Sequence, residues 1–591
     1  MGRRDDLVVA DFEAGDWGGW TVEGAAFGAG PVRGAAELAR MDVRGFRGDA
    51  VASSERKGDG PVGVITSPEF KVDRDFIAYG IGGGDYEFVC CLNLLVGGEV
   101  VRSATGQNSD TLRPGSWDVK EFAGQKARLQ VVDQATGDWG HVVVDYVVQT
   151  DHPDVRPVAT EPLYGEKWRP RQHFTARQFV MDRLNPGMRQ EGWLNDLNGL
   201  VYYEGEYHLF AQRWNKCWIH AVSNDLVHWT ELAPAFFEES LDTGVQSGSV
   251  VIDYGNTSGL SPDPAKPPMV AFWSRNDNRS QCLSFSLDRG RTWQHYAGNP
   301  IMTMPERDPK VFRYHPGNHW VMMLYGDQQY HLLTSTDLLH WTDTGNVVPN
   351  SFECPDFFEL PLDGGASKWV LVRGDGKYSI GDFDGTRFTE ESEQILSDAG
   401  LNFYATQTWN NTETGDGRRI QAAWMRDGVY PDMPFNQQVT FPCELTLRTV
   451  GGRPHLFRTP VRELTKLHSG TKHWSGVVKP GDAKLLTTAP LEADLHLEAQ
   501  IPPVATLTLT ISGAPIHLTS NTVTSASSPQ TLSGPLRRIQ LLIDRTSLEL
   551  FANDGEVSIS RCYLPTSQGI TLTSTTPVHV TTTLHPLTSI W

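Results

Sequence analysis

Short runs of apolar residues, separated by glycine and aspartate turns, recur through the first 150 residues. Two examples are Phe76–Tyr79 and Val142–Val147, and no segment repeats its apolar positions with a helical period. Runs of this length bounded by turn residues are typical of β-strands. The pattern predicts an N-terminal β-sandwich over 1–150 and a proline-rich, charged linker over 151–174.

A short motif recurs in the middle of the chain. It has a serine, an aspartate two positions later and then a tryptophan, and it occurs at Ser223–Trp229, Ser286–Trp293 and Ser335–Trp341, with a degenerate copy at Gly381–Phe388. Propeller blades of four strands repeat about every 40 to 50 residues. The repeat predicts four or five blades between 175 and 460, although chance turns can imitate a single copy.

The composition changes to threonine, serine and leucine after Pro460. Thr506–Ile511 alternates between polar and apolar residues, Ile539–Ile543 is largely apolar, and Asn553–Gly555 has the sequence of a hairpin turn. This pattern predicts a second β-sandwich over 463–591. The whole chain is therefore predicted to be all-β, a propeller flanked by two sandwiches.

One polar stretch lies directly before a strong hairpin pattern. It reads Gly-Trp-Leu-Asn-Asp-Leu-Asn-Gly over 192–199, and it precedes an aromatic strand, a Glu-Gly turn and a second strand over 200–210. Asp196 is thus a loop carboxylate next to a rigid scaffold, a common way to position a catalytic group. The alternative is an ordinary turn, because asparagine, aspartate and glycine are the usual turn residues.

Two further acids have unusual neighbours in the same region. Asp308 precedes Pro309, which favours an extended backbone at Asp308. Neighbouring residues of a strand point to opposite faces, so Arg307 need not pair with Asp308. Glu353 lies among apolar residues, where burial would raise its pKa and keep it protonated as a general acid. Each acid, considered alone, is more readily explained as an ordinary turn or surface residue. Inner strands of a propeller converge, however, so the three acids together suit the cleavage of a glycosidic bond.

Composition narrows the range of partners. The formal net charge of −20 argues against binding to nucleic acid or to an anionic membrane surface. The 18 tryptophans suit stacking on sugars, but most are expected in the core. In the N-terminal region the candidates for glycan stacking are Phe12, Trp17, Trp20, Trp117 and Trp139, with core packing expected for at least half of them.

The cysteines and the chain start add three expectations. The seven cysteines are scattered and form no metal-binding spacing, so neither a metal site nor a disulfide framework nor a cofactor is predicted. No apolar run reaches transmembrane length. The first residues lack the apolar core of a signal peptide, which indicates an intracellular protein or a leader that is absent from this sequence.

The acidic motifs resemble those of glycoside hydrolase family 32, which contains invertases, inulinases and levanases. Trp193–Gly199 is similar to the family's Trp-Met-Asn-Asp-Pro-Asn-Gly signature, and Arg307–Pro309 and Glu353-Cys354 match its other two signatures in order. Smaller matches are Gln212, Ser247–Ser249, Phe403–Trp409, Trp424-Met425 and Asp544–Phe551. The resemblance as a whole covers about 175–590.

This resemblance implies a five-bladed propeller, a C-terminal sandwich and a retaining mechanism on β-fructofuranosides. It implies that Asp196 is the nucleophile, Glu353 the acid/base and Asp308 the stabiliser of the transition state. A retaining mechanism predicts about 5 to 5.5 Å between the carboxyl groups of Asp196 and Glu353. The implied substrate-binding residues are Trp193, Asn195, Gln212, Trp218, Ser247, Arg307, Tyr404 and Trp424.

The resemblance also extends to the N-terminal region and has departures. Residues 1–150 are similar to an extra sandwich in some levanase-like members, and secretion is implied. Leu194 and Leu197 replace the family's usual methionine and proline, Gln246 stands where phenylalanine is common, and the loop after Gln212 is short. These changes leave all three acids in place, so we expect activity, while the substrate preference stays open.

Three functions compete at this point. The leading hypothesis is a fructan β-fructosidase that hydrolyses levan or inulin from the chain end, with sucrose as a further substrate. The second is a fructosyltransferase, in which a sugar hydroxyl replaces water and yields oligosaccharides or a difructose anhydride. The third is a non-catalytic glycan-binding protein, which the complete set of acids disfavours. The sequence leaves linkage preference and oligomeric state open.

Overall fold

A computed structural model describes residues 4–56, 58–155, 164–177, 184, 192–238, 243–276, 278–304, 306–488 and 492–591. Part of the predicted linker, 156–163, and Glu191 before the acidic stretch lie outside the described residues. The chain divides into two compact units. The first comprises Met1–Leu163, Gln178–Gln190 and Glu238–Gly244, and the second comprises Tyr164–Arg177, Glu191–Phe237 and Val245–Trp591.

The first unit is built from short strands and one described α-helix, α1 (Ala35–Arg40). A 3-10 helix lies at Lys120–Phe122. The strands are β1 (Leu7–Ala10), β2 (Thr21–Gly24), β3 (Val32–Arg33), β4 (Ala50–Ser53), β5 (Gly63–Thr66), β6 (Phe70–Lys71), β7 (Phe76–Gly83), β8 (Cys90–Val96), β9 (Glu99–Ala104), β10 (Ser109–Asp118), β11 (Lys126–Asp133) and β12 (Val142–Thr150).

These strands form two six-stranded sheets with one shared core. One sheet has the order β10-β7-β12-β4-β3 with β1 beside β12, and the other has the order β2-β5-β11-β8-β9 with β6 beside β11. Ile77 and Val144 of the first sheet share a hydrophobic cluster with Leu92 and Leu129 of the second. Apolar side chains that alternate along each strand cover the facing sides of the two sheets.

The second unit begins with five consecutive antiparallel sheets. Their strands are β13 (Val201–Tyr203), β14 (Glu206–Arg213), β15 (Cys217–Ser223), β16 (Thr230–Glu231); β17 (Gly248–Ile252), β18 (Met269–Ser274), β19 (Gln281–Ser286), β20 (Gln294–His295); β21 (Arg307–Tyr314), β22 (His319–Gly326), β23 (Gln329–Ser335), β24 (Thr342–Val348); β25 (Asp356–Pro361), β26 (Ser367–Val372), β27 (Lys377–Phe383), β28 (Phe388–Glu390), β29 (Ile395–Leu396); and β30 (Tyr404–Thr408), β31 (Ile420–Trp424), β32 (Cys443–Val450), β33 (Arg453–Pro460).

Each of these five sheets shares a hydrophobic cluster with the next. The clusters join the first sheet to the second, the second to the third, the third to the fourth and the fourth to the fifth. The fifth sheet also shares a cluster with the first, in which Trp409 and Ile420 lie with Leu209 and Ile219. Burial of both faces explains why the strands are almost wholly apolar, as in β18 and β22.

The recurring sequence motif has one structural role. Each copy starts at or near the end of the third strand of a sheet and leads into the fourth strand, namely β15 to β16, β19 to β20, β23 to β24 and β27 to β28. In the third sheet the carboxylate of Asp337 accepts hydrogen bonds from the N–H groups of Leu339 and His340 (3.0 and 2.8 Å). The motif is therefore a repeated turn that connects the third strand of a sheet to its fourth.

Two further six-stranded sheets follow a 3-10 helix at Arg462–Leu467. Another 3-10 helix lies at Thr412–Thr414. The strands are β34 (Lys472–Val478), β35 (Lys484–Thr487), β36 (Ala493–Ala499), β37 (Leu507–Ile511), β38 (Ala514–Leu518), β39 (Thr522–Thr524), β40 (Gln530–Thr531), β41 (Arg538–Ile543), β42 (Ser547–Ala552), β43 (Val557–Cys562), β44 (Ile570–Ser574) and β45 (Val578–Pro586).

The last two sheets have the orders β34-β45-β36-β41-β42-β43 and β35-β44-β37-β38-β39-β40. Leu497 and Leu541 of one share a core with Leu509 and Leu572 of the other. The fold is all-β, as predicted. Within the described residues, no helix has the length and apolar character needed to cross a membrane.

Candidate active site

Asp196 lies in an extended segment that is bonded to strand β14. The N–H of Asn195 donates to the carbonyl of Gln212 (2.9 Å), and the N–H of Gln212 donates to the carbonyl of Asp196 (2.9 Å). Leu197 pairs with Ala211 one step along. The predicted turn is thus hydrogen-bonded to β14 of the predicted hairpin, β13–β14. These backbone hydrogen bonds fix the position of the Asp196 carboxylate.

The carboxyl group of Asp196 has two side-chain donors. The hydroxyl of Ser247 donates to Oδ2 (2.9 Å), and Sγ of Cys354 lies 3.7 Å from the same oxygen. Burial raises the pKa of Asp196 to about 7, and the negative charges of Asp308 and Glu353 act in the same direction. The two donors oppose this rise because they stabilise the ionised form.

Asp308 lies at the start of β21, where the strand is irregular. Its φ is 60°, and the pairing with β22 shifts register between Arg307 and Lys310. The predicted extended backbone at Asp308 is therefore wrong. The sequence also suggested that Arg307 need not pair with Asp308, but Nε of Arg307 lies 3.8 Å from Oδ2 of Asp308. A bulge breaks the alternation on which both predictions depended.

Glu353 lies in a tight, left-handed turn before β25. Its φ is 39°, and that of Cys354 is 31°. Hydrogen bonds to the carbonyl of Glu353 from the hydroxyl of Tyr330 (2.7 Å) and the N–H of Gly374 (3.2 Å) hold the turn. A Cβ at Gly374 would lie 2.9 Å from the carbonyl oxygen of Phe352, so a larger residue would displace this turn. Unusual backbone angles of this kind persist only where the surroundings enforce them.

The carboxyl group of Glu353 is held in its ionised form. Burial alone raises its pKa, but hydrogen bonds from the Tyr404 hydroxyl and from Arg307 outweigh burial and lower the pKa below its ordinary value. The Arg307 bond, to Oε1, is 2.8 Å long. The predicted rise in the pKa of Glu353 is therefore wrong for the free site, because two donors that are distant in sequence stabilise the ionised carboxylate.

Cys354 joins the two aspartates. Its N–H donates to Oδ2 of Asp308 (3.0 Å), and its Sγ lies 3.6 Å from that oxygen and 3.7 Å from Oδ2 of Asp196. Burial raises the pKa of the Cys354 thiol, and the two carboxylates raise it further. The sulfur is therefore a neutral thiol that can donate to either aspartate. We refer to Asp196, Asp308 and Glu353 as the acid triad.

A chain of neutral polar side chains extends from Asp196. The hydroxyl of Ser247 also contacts Oε1 of Gln212 (3.1 Å), which accepts from Nδ2 of Asn195 (2.9 Å). Oδ1 of Asn195 accepts in turn from the indole N–H of Trp193 (3.2 Å). The structure thus brings these four predicted residues together beside Asp196, where hydroxyl-rich ligands can be recognised.

Aromatic rings lie on two sides of the triad. Tyr404 meets Trp424 edge to face at 6.0 Å, and the guanidinium of Arg426 lies 4.7 Å from the Tyr404 ring. Trp193 meets Trp214 at 5.3 Å, and Trp214 is 40% exposed. An exposed ring next to a polar pocket is a typical platform for the apolar face of a sugar.

Trp218 does not have the position that its predicted role requires. It is fully buried, and its ring packs against Phe236 at 5.0 Å within a hydrophobic cluster. Its indole N–H donates to the carbonyl of Gln246 (3.1 Å). Trp218 therefore supports the wall of the site and offers no surface to a ligand.

Sequence reasoning left out several residues of the site. They are the thiol of Cys354, the exposed ring of Trp214, Asn215 (whose Oδ1 accepts from Gln212 at 2.9 Å), Arg426 and Gln437 (whose Oε1 accepts from Trp424 at 2.6 Å). Cys354 directly follows Glu353, and Trp214 lies two residues after Gln212, so proximity in sequence was an available signal for these two. The same signal was available for Arg426, two residues after Trp424, whereas Gln437 lies 13 residues after it and carried none.

Metal-ligating groups converge elsewhere in the described chain. Ligand atoms of Glu55, Asp110 and His141, all in the first unit, lie within 4.8 Å of one another. Among the described residues, the acid triad does not form a group of this kind. Its positive partner is Arg307, so its chemistry is that of carboxylates and a guanidinium.

Comparison with known proteins identifies the family. Residues 188–460 match the profile of the "Glycosyl hydrolases family 32 N-terminal domain", and 506–588 match the "Glycosyl hydrolases family 32 C terminal" profile. A levanase of Bacillus subtilis is 32% identical over 73% of this chain and 72% of its own length. An extracellular exo-inulinase of Aspergillus niger is 28% identical over 68% of this chain and 94% of its own length.

Solved structures share the fold. An exo-inulinase from Aspergillus awamori superposes with a TM-score of 0.64 at 24% identity, covering 73% of this chain and all of the other. A fructofuranosidase from Schwanniomyces occidentalis in complex with fructose gives a TM-score of 0.63, also at 24% identity, with 73% of this chain and all of the other covered. The chain therefore belongs to glycoside hydrolase family 32, as its motifs predicted, and it is a glycoside hydrolase.

Proposed function

We propose that the chain is a retaining β-fructofuranosidase that releases fructose from the ends of fructans such as levan or inulin, with sucrose as a further substrate. The observation that carries this proposal is the contact of three carboxylates, through Cys354 and Arg307, beside a network of neutral donors and acceptors. Relatives named levanase, exo-inulinase and invertase support the choice of substrate.

In the first step Asp196 attacks C2 of a terminal fructosyl unit. The bond from C2 to the leaving oxygen breaks, and Glu353 transfers its proton to that oxygen. Water then attacks C2 of the fructosyl ester and gives a proton to Glu353, while the bond from C2 to the Asp196 carboxylate breaks. Fructose leaves in the β configuration, and both carboxyl groups return to their starting states.

Asp308 is proposed to stabilise the transition state by bonding to sugar hydroxyls. Hydrogen bonds from the backbone and thiol of Cys354 hold its carboxylate in place (3.0 and 3.6 Å). For the sugar pocket itself we propose Asn195, Gln212, Ser247, Arg307, Tyr404, Trp193 and Trp424. Their donors and acceptors suit a ligand that carries hydroxyl groups and no charge.

The two pKa directions give this mechanism a specific protonation pattern. The reaction needs Asp196 ionised and Glu353 protonated, whereas the free site raises the pKa of Asp196 to about 7 and lowers that of Glu353. The site holds one proton that either Asp196 or Glu353 can carry. In the productive form the proton is on Glu353, and this form is the minor one of the two. We expect the rate to be limited at high pH by loss of this shared proton.

We also propose a finer architecture for the chain. The five consecutive sheets are the blades of a five-bladed propeller over 175–460, flanked by sandwiches over 1–150 and 463–591. The closed order of shared hydrophobic clusters, in which the fifth sheet packs on the first, supports the propeller. Because a relative is named as extracellular, we propose that the protein acts outside the cell.

Product analysis tests the function. The protein would be incubated separately with levan, inulin and sucrose, with the Asp196→Asn variant as the control, and products would be separated over time. Free fructose from the earliest time points supports exo-hydrolysis. A difructose or a ladder of oligosaccharides would instead indicate a fructosyltransferase or an endo-enzyme, and absence of product would contradict the proposal.

A further inference from the structure

One group of ionisable side chains in the first unit is independent of the acid triad. It consists of Glu55, Asp59, Asp110 and His141, which we call the imidazole cluster. Glu55 follows β4, Asp110 is the second residue of β10, and His141 directly precedes β12. These three strands belong to one sheet, in the order β10-β7-β12-β4, so separate parts of the sequence meet there.

Backbone bonds fix the relative positions of these residues. Gly83 of β7 pairs with both Ser109 and Val142, which places Asp110 and His141 side by side. The N–H of Ser54 donates to the carbonyl of Val142 (3.2 Å), which brings Glu55 to the same place. The cluster therefore rests on strand pairing rather than on free loops.

His141 is 5% exposed and has a carboxylate on each ring nitrogen. Nδ1 lies 2.9 Å from Oδ1 of Asp59, and Nε2 lies 2.8 Å from Oδ1 of Asp110. The ring of Trp139 covers it at 5.7 Å. Histidines that bind metals commonly donate the hydrogen on one nitrogen to a carboxylate while the other nitrogen faces the ion. Asp59 has the position of that orienting carboxylate.

The cluster carries more negative charge than one imidazolium balances. Oε2 of Glu55 is buried without a hydrogen-bond partner, and so is Oδ2 of the fully buried Asp133 nearby, whose pKa responds to the charge of His141. A buried carboxylate oxygen with no donor is costly unless a cation approaches it.

We propose that Nε2 of His141 and the carboxylates of Glu55 and Asp110 bind a divalent transition-metal ion of the zinc class, with Asp59 orienting the imidazole. One imidazole nitrogen with carboxylate oxygens is a ligand set used by zinc, whereas calcium prefers oxygen alone. On binding, the ion replaces the proton at Nε2, which leaves to solvent. The ion would join the segments at β4, β10 and β12, and would thereby stabilise the first unit.

The test is metal binding by the full-length, untagged chain. After dialysis against a chelator, the protein would be titrated with Zn²⁺ alone and separately with Ca²⁺, and bound metal would be measured by mass spectrometry after gel filtration. We expect one Zn²⁺ per chain, a higher Tm with Zn²⁺, and no comparable effect of Ca²⁺. The Glu55→Gln/Asp110→Asn double variant should lose both the bound Zn²⁺ and the shift in Tm.

Two further variants keep the outcome decisive. Asp59→Asn should retain one Zn²⁺ with affinity lower by about 10-fold to 100-fold, the usual effect of losing an orienting carboxylate. Glu99→Gln, at an exposed position on β9, is the matched control and should bind like the parent protein. No bound Zn²⁺ in the parent protein, or equal binding in the double variant, would overturn the proposal and leave an ordinary ion-pair network.

Discussion

The acid triad and the imidazole cluster each hold three carboxylates around one cationic side chain. In the triad that cation is Arg307, which lies 2.8 Å from Glu353 and 3.8 Å from Asp308. In the cluster it is His141, with carboxylates at 2.9 and 2.8 Å. A guanidinium stays protonated, whereas an imidazole can exchange its proton for a metal ion. The different cations therefore fit the two proposed roles, which are proton transfer at the acid triad and metal binding at the imidazole cluster.

The backbone differs between the two sites as well. Asp308, Glu353 and Cys354 all have positive φ values, between 31° and 60°. None of the four residues of the imidazole cluster does. The positive φ values of Asp308 and Glu353 agree with their proposed catalytic roles, because strained backbone is generally associated with catalytic sites. Substitutions should therefore affect the two sites by different routes.

The largest effect is expected from the Asp196→Asn substitution. An amide cannot form the fructosyl ester, so kcat should fall by at least about 10⁴-fold. Steady-state kinetics on sucrose and levan measure this loss, and binding of Zn²⁺ should be unchanged because the imidazole cluster is intact. Retained turnover would exclude Asp196 as the nucleophile.

The Glu353→Gln substitution should reduce kcat by about 10²-fold to 10⁴-fold while the fold is kept. The loss should be smaller for an aryl fructoside, because a good leaving group needs less help from a proton donor. Circular dichroism serves as the control for folding. An equal loss on both substrates would argue against general acid catalysis by Glu353.

The Arg307→Lys substitution keeps the positive charge but removes the guanidinium group, whose N–H donors have a fixed, forked geometry. One charge-assisted hydrogen bond contributes roughly 1.5 to 3 kcal/mol, so kcat/KM should fall by about 10-fold to 100-fold. The Arg307 bond lowers the pKa of Glu353, so its loss should move the acid limb of the pH profile to higher pH. An unchanged acid limb would show that Arg307 does not control the pKa of Glu353.

The pH dependence of kcat/KM should be bell-shaped, with an alkaline limb near the pKa of about 7 at Asp196. The Ser247 hydroxyl stabilises the ionised form of Asp196. The Ser247→Ala substitution should therefore raise this pKa, move the alkaline limb to higher pH and lower the plateau. Ser335→Ala, in a turn of the third sheet, is the control. A limb that moves to lower pH would contradict the assignment.

The smallest effect is expected at the rim of the site. Loss of one exposed stacking ring costs about 1 kcal/mol, so Trp214→Ala should raise KM for fructan oligosaccharides roughly fivefold with little change in kcat. Sucrose, which is shorter, should show a smaller change. Equal effects on both substrates would mean that Trp214 only supports Trp193.

The features that could be predicted from sequence depend on local patterns. The hairpin after Asp196 and the repeated serine–aspartate turn are encoded within a few residues, and both are present. Burial of Phe12, Trp17 and Trp117 confirms the expected core packing for at least half of the five aromatic candidates in the N-terminal region. The acids of the triad were identified by their motifs, because each motif is short and continuous.

The remaining features depend on contacts between distant segments. The irregular strand at Asp308 brings Arg307 close to the Asp308 carboxylate. Hydrogen bonds from Tyr404 and Arg307 lower the pKa of Glu353, which burial alone would raise. Trp218 was misplaced because adjacency to the site in sequence does not reveal which side of a strand is buried. The imidazole cluster was missed because strand pairing assembles it from residues that share no spacing pattern.

In the proposed mechanism Asp196 forms a covalent bond to the fructosyl unit. The most direct measurement is the anomeric form of fructose at first release, followed by NMR at low temperature before the anomers interconvert. The account predicts β-fructofuranose as the first product, because two successive displacements at C2 retain configuration. Initial release of the α anomer would show a single displacement by water and would contradict the role of Asp196.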